Sequence, residues 1–342
     1  MGFTFCGCGS RREDLKSPQI AGDTLDNSVS GSFVKTDLGT LTAEESSAFA
    51  INSSGQVVGC TLQQGRSIYY PFIWSKGDLA YLKPFAEKQG IAYSINDKAS
   101  VTGYIKETLD GPNVAVKWQD GKLTKLGTLG GLRSIAVAIN NKGQIVGSSI
   151  MEKSNEGHAY RWSDGKMIDL GALGKASSEA HGINDAGYVV GTSYLSDKVR
   201  FHAFIWSNDK MVDVGTLGGS SSSGRAINNI GQVVGFSQLP GDRFFHAYIW
   251  DKGKMTDLRT LGGSNSYAYG VNDSGSVVGY SEVSGDKAYH AFLWSKGKMV
   301  DLGTLGGDLS SAAAINAKGQ IIGTSNIEKG GKLFHAFLLT PK

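Results

Sequence analysis

Six histidines and a recurring aspartate are the groups in this sequence best equipped for acid–base or metal chemistry. His158, His202, His246, His290 and His335 each precede an alanine and an aromatic residue, and aspartate recurs at Asp37, Asp169, Asp213, Asp257 and Asp301. Imidazole can shuttle protons near neutrality or ligate zinc. Yet successive histidines stand 44 residues apart, 45 at the last step. Groups that occupy one slot of a long repeat sit on separate structural units and cannot share one ion. Each histidine is therefore read as a structural hydrogen-bonding group used once per unit, and each aspartate as a turn or strand-end partner. Glu179 with His181 is the one local acid–imidazole pair outside this pattern, and the sequence identifies no third partner for it. The Gly-Gly doublets resemble phosphate-cradling loops, but no helix follows them and no Gly-Lys-Ser/Thr is present, so they read as turns. The three cysteines, Cys6, Cys8 and Cys60, cannot build a disulfide framework in the repeat region, and Cys60 reads as a free thiol. No catalytic residue, metal or cofactor is expected.

The elements that would carry these residues follow from the repeat. Asparagine after Ile or Val falls at 52, 96, 140, 184, 228, 272 and 316, and glycine at 59, 103, 147, 191, 235, 279 and 323, in constant steps of 44. All six tryptophans, at 74, 118, 162, 206, 250 and 294, keep the same step, and Leu339 takes the slot in the last unit. Each unit reads as four short strands, for example Ser266 to Asn272, Ser276 to Tyr280, His290 to Trp294 and Lys298 to Leu302. Asn-x-x-Gly and Ser-Lys-Gly between them are hairpin-turn chemistry. Glycine, at 48 of 342 residues, is about twice its usual frequency, as many tight turns require. No segment holds a sustained helical period.

Four-stranded units of this length predict propeller blades rather than an open solenoid. The termini carry the argument. The seventh unit lacks a fourth strand, while Phe33 to Leu38 matches Gly297 to Leu302 in register. A ring uses that orphan strand to complete its last blade. The predicted fold is all-β: a seven-bladed propeller of residues 33–342, with four-stranded blades of 44 residues closed by the N-terminal strand. Residues 1–32 read as a flexible N-terminal tether. The formal net charge of +3, from 34 basic and 31 acidic residues without clustering, gives no reason to expect nucleic acid. No apolar run is long enough for a transmembrane helix. A monomer is expected.

The motifs His-Ala-Phe/Tyr-x-Trp and Gly-Thr-Leu-Gly-Gly resemble the bacterial HAF-family repeat over about residues 33 to 342. Units 1 and 2 depart from it, with Tyr70-Pro71-Phe72, Val114-Ala115-Val116 and Phe85 in place of leucine. The resemblance implies a β-propeller-like repeat in an extracellular or cell-surface setting and no defined reaction, although the sequence contains no intact signal peptide. Kelch and WD repeats have similar periods, but their Gly-Gly and Trp-Asp signatures fall elsewhere.

Function should lie where the repeat is broken. The slot three before the repeat asparagine holds Phe49, Tyr93, Val137, His181, Arg225, Tyr269 and Ala313, between neighbours that are always small. The loops between second and third strands also vary, and both sets emerge on one face. Tyr93, His181, Arg225 and Tyr269, with Arg66 and Arg243 from flanking loops, are the candidate contacts for a protein or glycan partner. The expected function is a non-catalytic binding or scaffold propeller; the alternative is a hydrolase or lyase acting on carbohydrate at the channel mouth.

Overall fold

The computed structural model describes residues 32–63, 68–152, 156–174 and 176–342. It contains seven four-stranded antiparallel sheets arranged as seven blades, and within each sheet every strand but the first of the chain pairs with its sequence neighbour. Blade 6 is representative: Gly262–Val271, Val277–Val283, Tyr289–Ser295 and Lys298–Asp301 run from inner to outer strand. Each strand lies where the sequence reading puts it, with ends that differ by up to four residues. A short 3-10 turn, Phe85–Glu87, interrupts the otherwise all-strand chain.

Neither face of a blade is left to water, because both faces meet a neighbouring blade. At the 3–4 joint, Phe204 and Trp206 of blade 4 pack on Val146, Ala159 and Leu170 of blade 3. At the 5–6 joint, Phe292 and Trp294 meet Val234, Ala247 and Leu258. The aromatic side of each third strand thus faces the preceding blade and its alanine side the following one, as period-two alternation requires. Seven apolar clusters occupy the seven joints.

The ring closes as the orphan strand predicts. Phe33–Asp37 pairs antiparallel with Phe334–Pro341, from Phe33 opposite Pro341 to Asp37 opposite Phe337. Leu38 then joins Ile322, Ala336 and Leu338 in the cluster between blades 7 and 1. Residues 1–31, with the thiols of Cys6 and Cys8, lie outside the described residues; Cys60 is buried.

Polar groups repeat as strictly as apolar ones. Each repeat asparagine donates its side-chain N–H to the backbone oxygen of the next, from Asn52 to Asn96 (3.2 Å) onward, until Asn316 returns to Asn52 (3.1 Å). The histidine and aspartate series, read as separate structural groups, are partners of each other. His Nδ1 meets the Asp carboxylate at 2.7–2.9 Å in pairs 158–169, 202–213, 246–257 and 290–301. The fifth pair, His335–Asp37 at 2.7 Å, spans the closure. Each aspartate also accepts the backbone N–H two residues on, as at Gly215 (2.7 Å).

A serine six before the asparagine links the blades. Ser222 accepts from the backbone N–H of Ala203 in the preceding blade (2.9 Å) and donates to Gly215 oxygen (2.6 Å). Equivalent serines at 46, 134, 178, 266 and 310 do the same. Only the joint between blades 1 and 2 differs. There Pro71 has no N–H to donate and Gly90 no hydroxyl to accept. A Cβ at Gly90 would collide with the backbone oxygen of Tyr104 and reach 3.0 Å from the Phe85 ring. Phe85 is fully buried at this joint. Three departures from the repeat are thus one local solution.

Three outcomes test this architecture. Deleting residues 1–38 removes the closing strand and should lower the melting temperature steeply, while deleting 1–30 should leave it nearly unchanged; equal values would contradict the closure. Ser222→Ala strands a buried N–H and should cost about 1–3 kcal/mol in urea unfolding. The third outcome depends on pH. The hydrogen bond from Asp213 holds the His202 imidazole above its ordinary pKa, against desolvation. Burial pushes Asp213 upward, but its bonds with His202 and Gly215 outweigh this and leave its pKa lowered. The histidine contribution is complete below about pH 6.5 and fades as pH rises through the folded-state value; the aspartate contribution is complete above about pH 4 and fades as pH falls. The melting-temperature difference between wild type and His202→Gln should therefore be larger at pH 5.5 than at pH 8.

Candidate functional site

The variable slot has a specific backbone origin. In every blade, the inner strand loses register with the second strand between the two small residues that flank it, as between Gly224 and Ala226 or Ala268 and Gly270. The residue between them, Arg225 or Tyr269, is the extra member of a β-bulge. A bulge leaves one residue unpaired and re-aims its side chain. The small flanking residues have a packing reason: a Cβ on Gly270 would lie 3.0 Å from Ala314 Cα in the adjacent inner strand. The repeat glycine opposite the bulge has another. A Cβ at Gly235 or Gly279 would strike the backbone oxygen of Ser223 or Tyr267. Tyr248 uses that bulge carbonyl, donating its hydroxyl to Ser223 oxygen at 3.2 Å.

Seven bulges set seven half-buried side chains on adjacent inner strands, and several of them touch. Tyr93 lies 5.5 Å from Phe49 of blade 1 and 6.0 Å from Tyr104 of its own blade, ring to ring. Burial, then the neighbouring Tyr104, raises the Tyr93 phenol's pKa. Val137 and Ala313 separate this arc from a second one. In the second, His181 Nε2 is 3.2 Å from the Thr192 hydroxyl, which in turn bonds Ser223 at 2.6 Å. Burial, reinforced by the Arg225 charge, holds the His181 imidazole's pKa well below its ordinary value, so it is neutral. The Arg225 guanidinium lies over Phe236 at 5.2 Å and over Tyr269 of the next blade at 5.9 Å.

The site extends beyond the slot read from sequence. The position just after the repeat glycine, noted there only for Cys60, carries Tyr104, Thr192, Phe236 and Tyr280, each packed against its bulge residue. Tyr280 stacks on Tyr267 (4.9 Å, 29°) and Tyr269 (5.8 Å, 28°) and meets Tyr289 at 5.1 Å. Phe245 stacks on Tyr267 at 6.0 Å. Blades 5 and 6 therefore present a continuous set of rings beside one guanidinium. The signal was available: this second slot also varies at a step of 44.

His181, Arg225 and Tyr269 are brought together, whereas Tyr93 belongs to the other arc. Arg243 is exposed on its loop, stacked 5.5 Å from Phe244. Arg66 lies outside the described residues. Glu179, exposed, lines a cleft of about 450 Å³ with Tyr194, Arg133 and Lys198 between blades 3 and 4. Among the described residues, no three His, Cys, Asp or Glu side chains are grouped to hold a metal ion, and no helix is long and apolar enough to cross a membrane.

No protein-family model matches the chain, and no curated protein matches it. Among solved structures, the chain is similar to TolB from Acinetobacter baumannii, with a TM-score of 0.50 and 13% identity over 84% of this chain and 64% of that one. It is similar to the β-propeller domain of the Trilobed protease from Pyrococcus furiosus (TM-score 0.50, 12% identity, 74% and 82% covered), described as having an open velcro topology. A puromycin-hydrolysing peptidase from Mycobacterium tuberculosis gives a TM-score of 0.51 at 11% identity, over 82% of this chain and 48% of that one. The chain thus spans less than two thirds of the TolB chain and about half of the peptidase. At these identities the likeness is one of fold alone.

Proposed function

We propose that this chain is a non-catalytic binding propeller, of the HAF-like extracellular or cell-surface type, that recognises a protein or glycan with the bulge residues and loops of one face. The observation that carries this reading is the arc from His181 through Arg225 and Tyr269 to Tyr280, where residues from blades 4, 5 and 6 converge although the surrounding scaffold is nearly invariant. Rings and a guanidinium on rigid inner strands offer stacking area at little entropic cost. The hydrolase or lyase reading draws less support: His181 is neutral, and its hydrogen-bonding partner is the hydroxyl of Thr192 rather than a carboxylate.

The test is Arg225→Ala combined with Tyr269→Ala, screened against glycan arrays and surface proteins. Binding should weaken by tenfold or more, about 1.4 kcal/mol, with the melting temperature nearly unchanged. A marked fall in melting temperature with binding intact would assign these side chains to packing between blades. Arg66→Ala and Arg243→Ala are expected to have smaller effects, as rim residues.

A further inference from the structure

Arg225 is a cation of the candidate site with little local compensation. Its Nε is buried and has no hydrogen-bond partner, and among the described residues no carboxylate forms an ion pair with it. Its charge acts instead on neutral groups. It helps keep His181 deprotonated, and it opposes the effect of burial on the Tyr248 and Tyr269 phenols. Glu179 shares Tyr194 with Arg225 as a charged neighbour, but it is exposed. Glu282 is engaged elsewhere, accepting from the backbone N–H and side chain of Asn265 at 2.9 and 2.8 Å. A guanidinium partly withdrawn from water at its Nε without an anion carries a cost, and the faces of Phe236 and Tyr269 offset only part of it. A bidentate carboxylate would complete it.

The neighbouring surface indicates what should carry the carboxylate. Tyr267 and Tyr269 each stack within 30° of the plane of Tyr280, and Tyr289 meets Tyr280 beyond them. Burial raises the pKa of all four phenols, that of Tyr269 to about 12, so their hydroxyls stay protonated. Half-buried rings with hydroxyl donors suit the C–H faces and rim hydroxyls of sugars. The charge changes sign along the row. Arg225 stands at one end, while Glu282 acts on Tyr267 and Asp308 on Tyr289 toward the other. A ligand carrying anions throughout would be repelled at the Tyr289 end.

We propose that this site takes a glycan with a uronic acid at Arg225 and neutral sugars extending over Tyr267, Tyr280 and Tyr289. The inference rests on the binding reading above and gives its ligand class. The probes are uronate-containing oligosaccharides with neutral flanking sugars, each paired with its carboxyl-reduced counterpart, titrated calorimetrically into the full chain. At least one acidic member should bind, and carboxyl reduction should weaken it tenfold or more with the wild-type protein. Arg225→Gln should reproduce that loss, and the loss on reduction holds as evidence even if this variant misfolds. Equal affinity for acidic and reduced forms, combined with loss of both in Tyr280→Ala, would overturn the carboxylate subsite while leaving a glycan-binding propeller. No binding of any oligosaccharide, or tighter binding of a free peptide C-terminus than of its amide and of every glycan, would overturn the proposal outright.

Discussion

The seven apolar clusters among the described residues all lie between blades. A four-stranded sheet of this length has two faces and no interior, so Phe292 or Trp206 is buried only once the preceding blade is in place. Single isolated sheets of this kind cannot be stable, and a row of them would leave two bare faces at its ends. Ring closure follows from that constraint. Phe33–Asp37 adds a fourth strand to blade 7, and the cluster at the 7–1 joint removes the last bare face. The asparagine ring then holds the blades in register, each histidine–aspartate pair ties the third strand to the fourth within one blade, and one member of each series crosses the seam.

The same constraint shapes the candidate site. Seven inner strands crowd together, which forces small residues beside each bulge, and the inner strand's own backbone oxygen forces glycine opposite it. The bulge residue itself escapes the ladder, and its side chain is free of the demands that make its neighbours uniform. A scaffold that is nearly identical from blade to blade can therefore carry unlike side chains in one slot. The charge distribution follows: one cation without a counter-ion is surrounded by aromatic rings and a neutral imidazole, and carboxylates stand farther along the row.

The fold was legible in the sequence because repetition multiplies a weak signal. One Asn-x-x-Gly turn predicts little, but six of them and the variant Asn96-Asp97-Lys98-Ala99 at a constant step predict a ring, and the orphan strand at Phe33 predicts how it closes. The site was legible in part. Arg225 and Tyr269 were found because they break a rule their neighbours keep. Phe236 and Tyr280 break a rule too, but their slot follows an invariant glycine whose role depends on the bulge, and a bulge is a backbone event without a sequence marker of its own. The pairing of His202 with Asp213 was missed for a similar reason. Residues 11 apart become partners only when strands three and four are placed side by side in register.

The joint between blades 1 and 2 has a consequence for how such a sequence can change. Restoring alanine at Pro71 alone would create a buried donor facing Gly90, with nothing to accept from it. Restoring serine at Gly90 alone would drive a side chain into the Tyr104 carbonyl and the Phe85 ring. Each reversion is harmful without the other, and both are obstructed while Phe85 fills the space. The three positions are interlocked: they can take the pattern of the other joints only if all three change together. This blade pair is therefore where the seven-fold repeat has lost the ability to interchange its parts, and a unit transplanted from elsewhere in the ring would fit any joint more readily than this one.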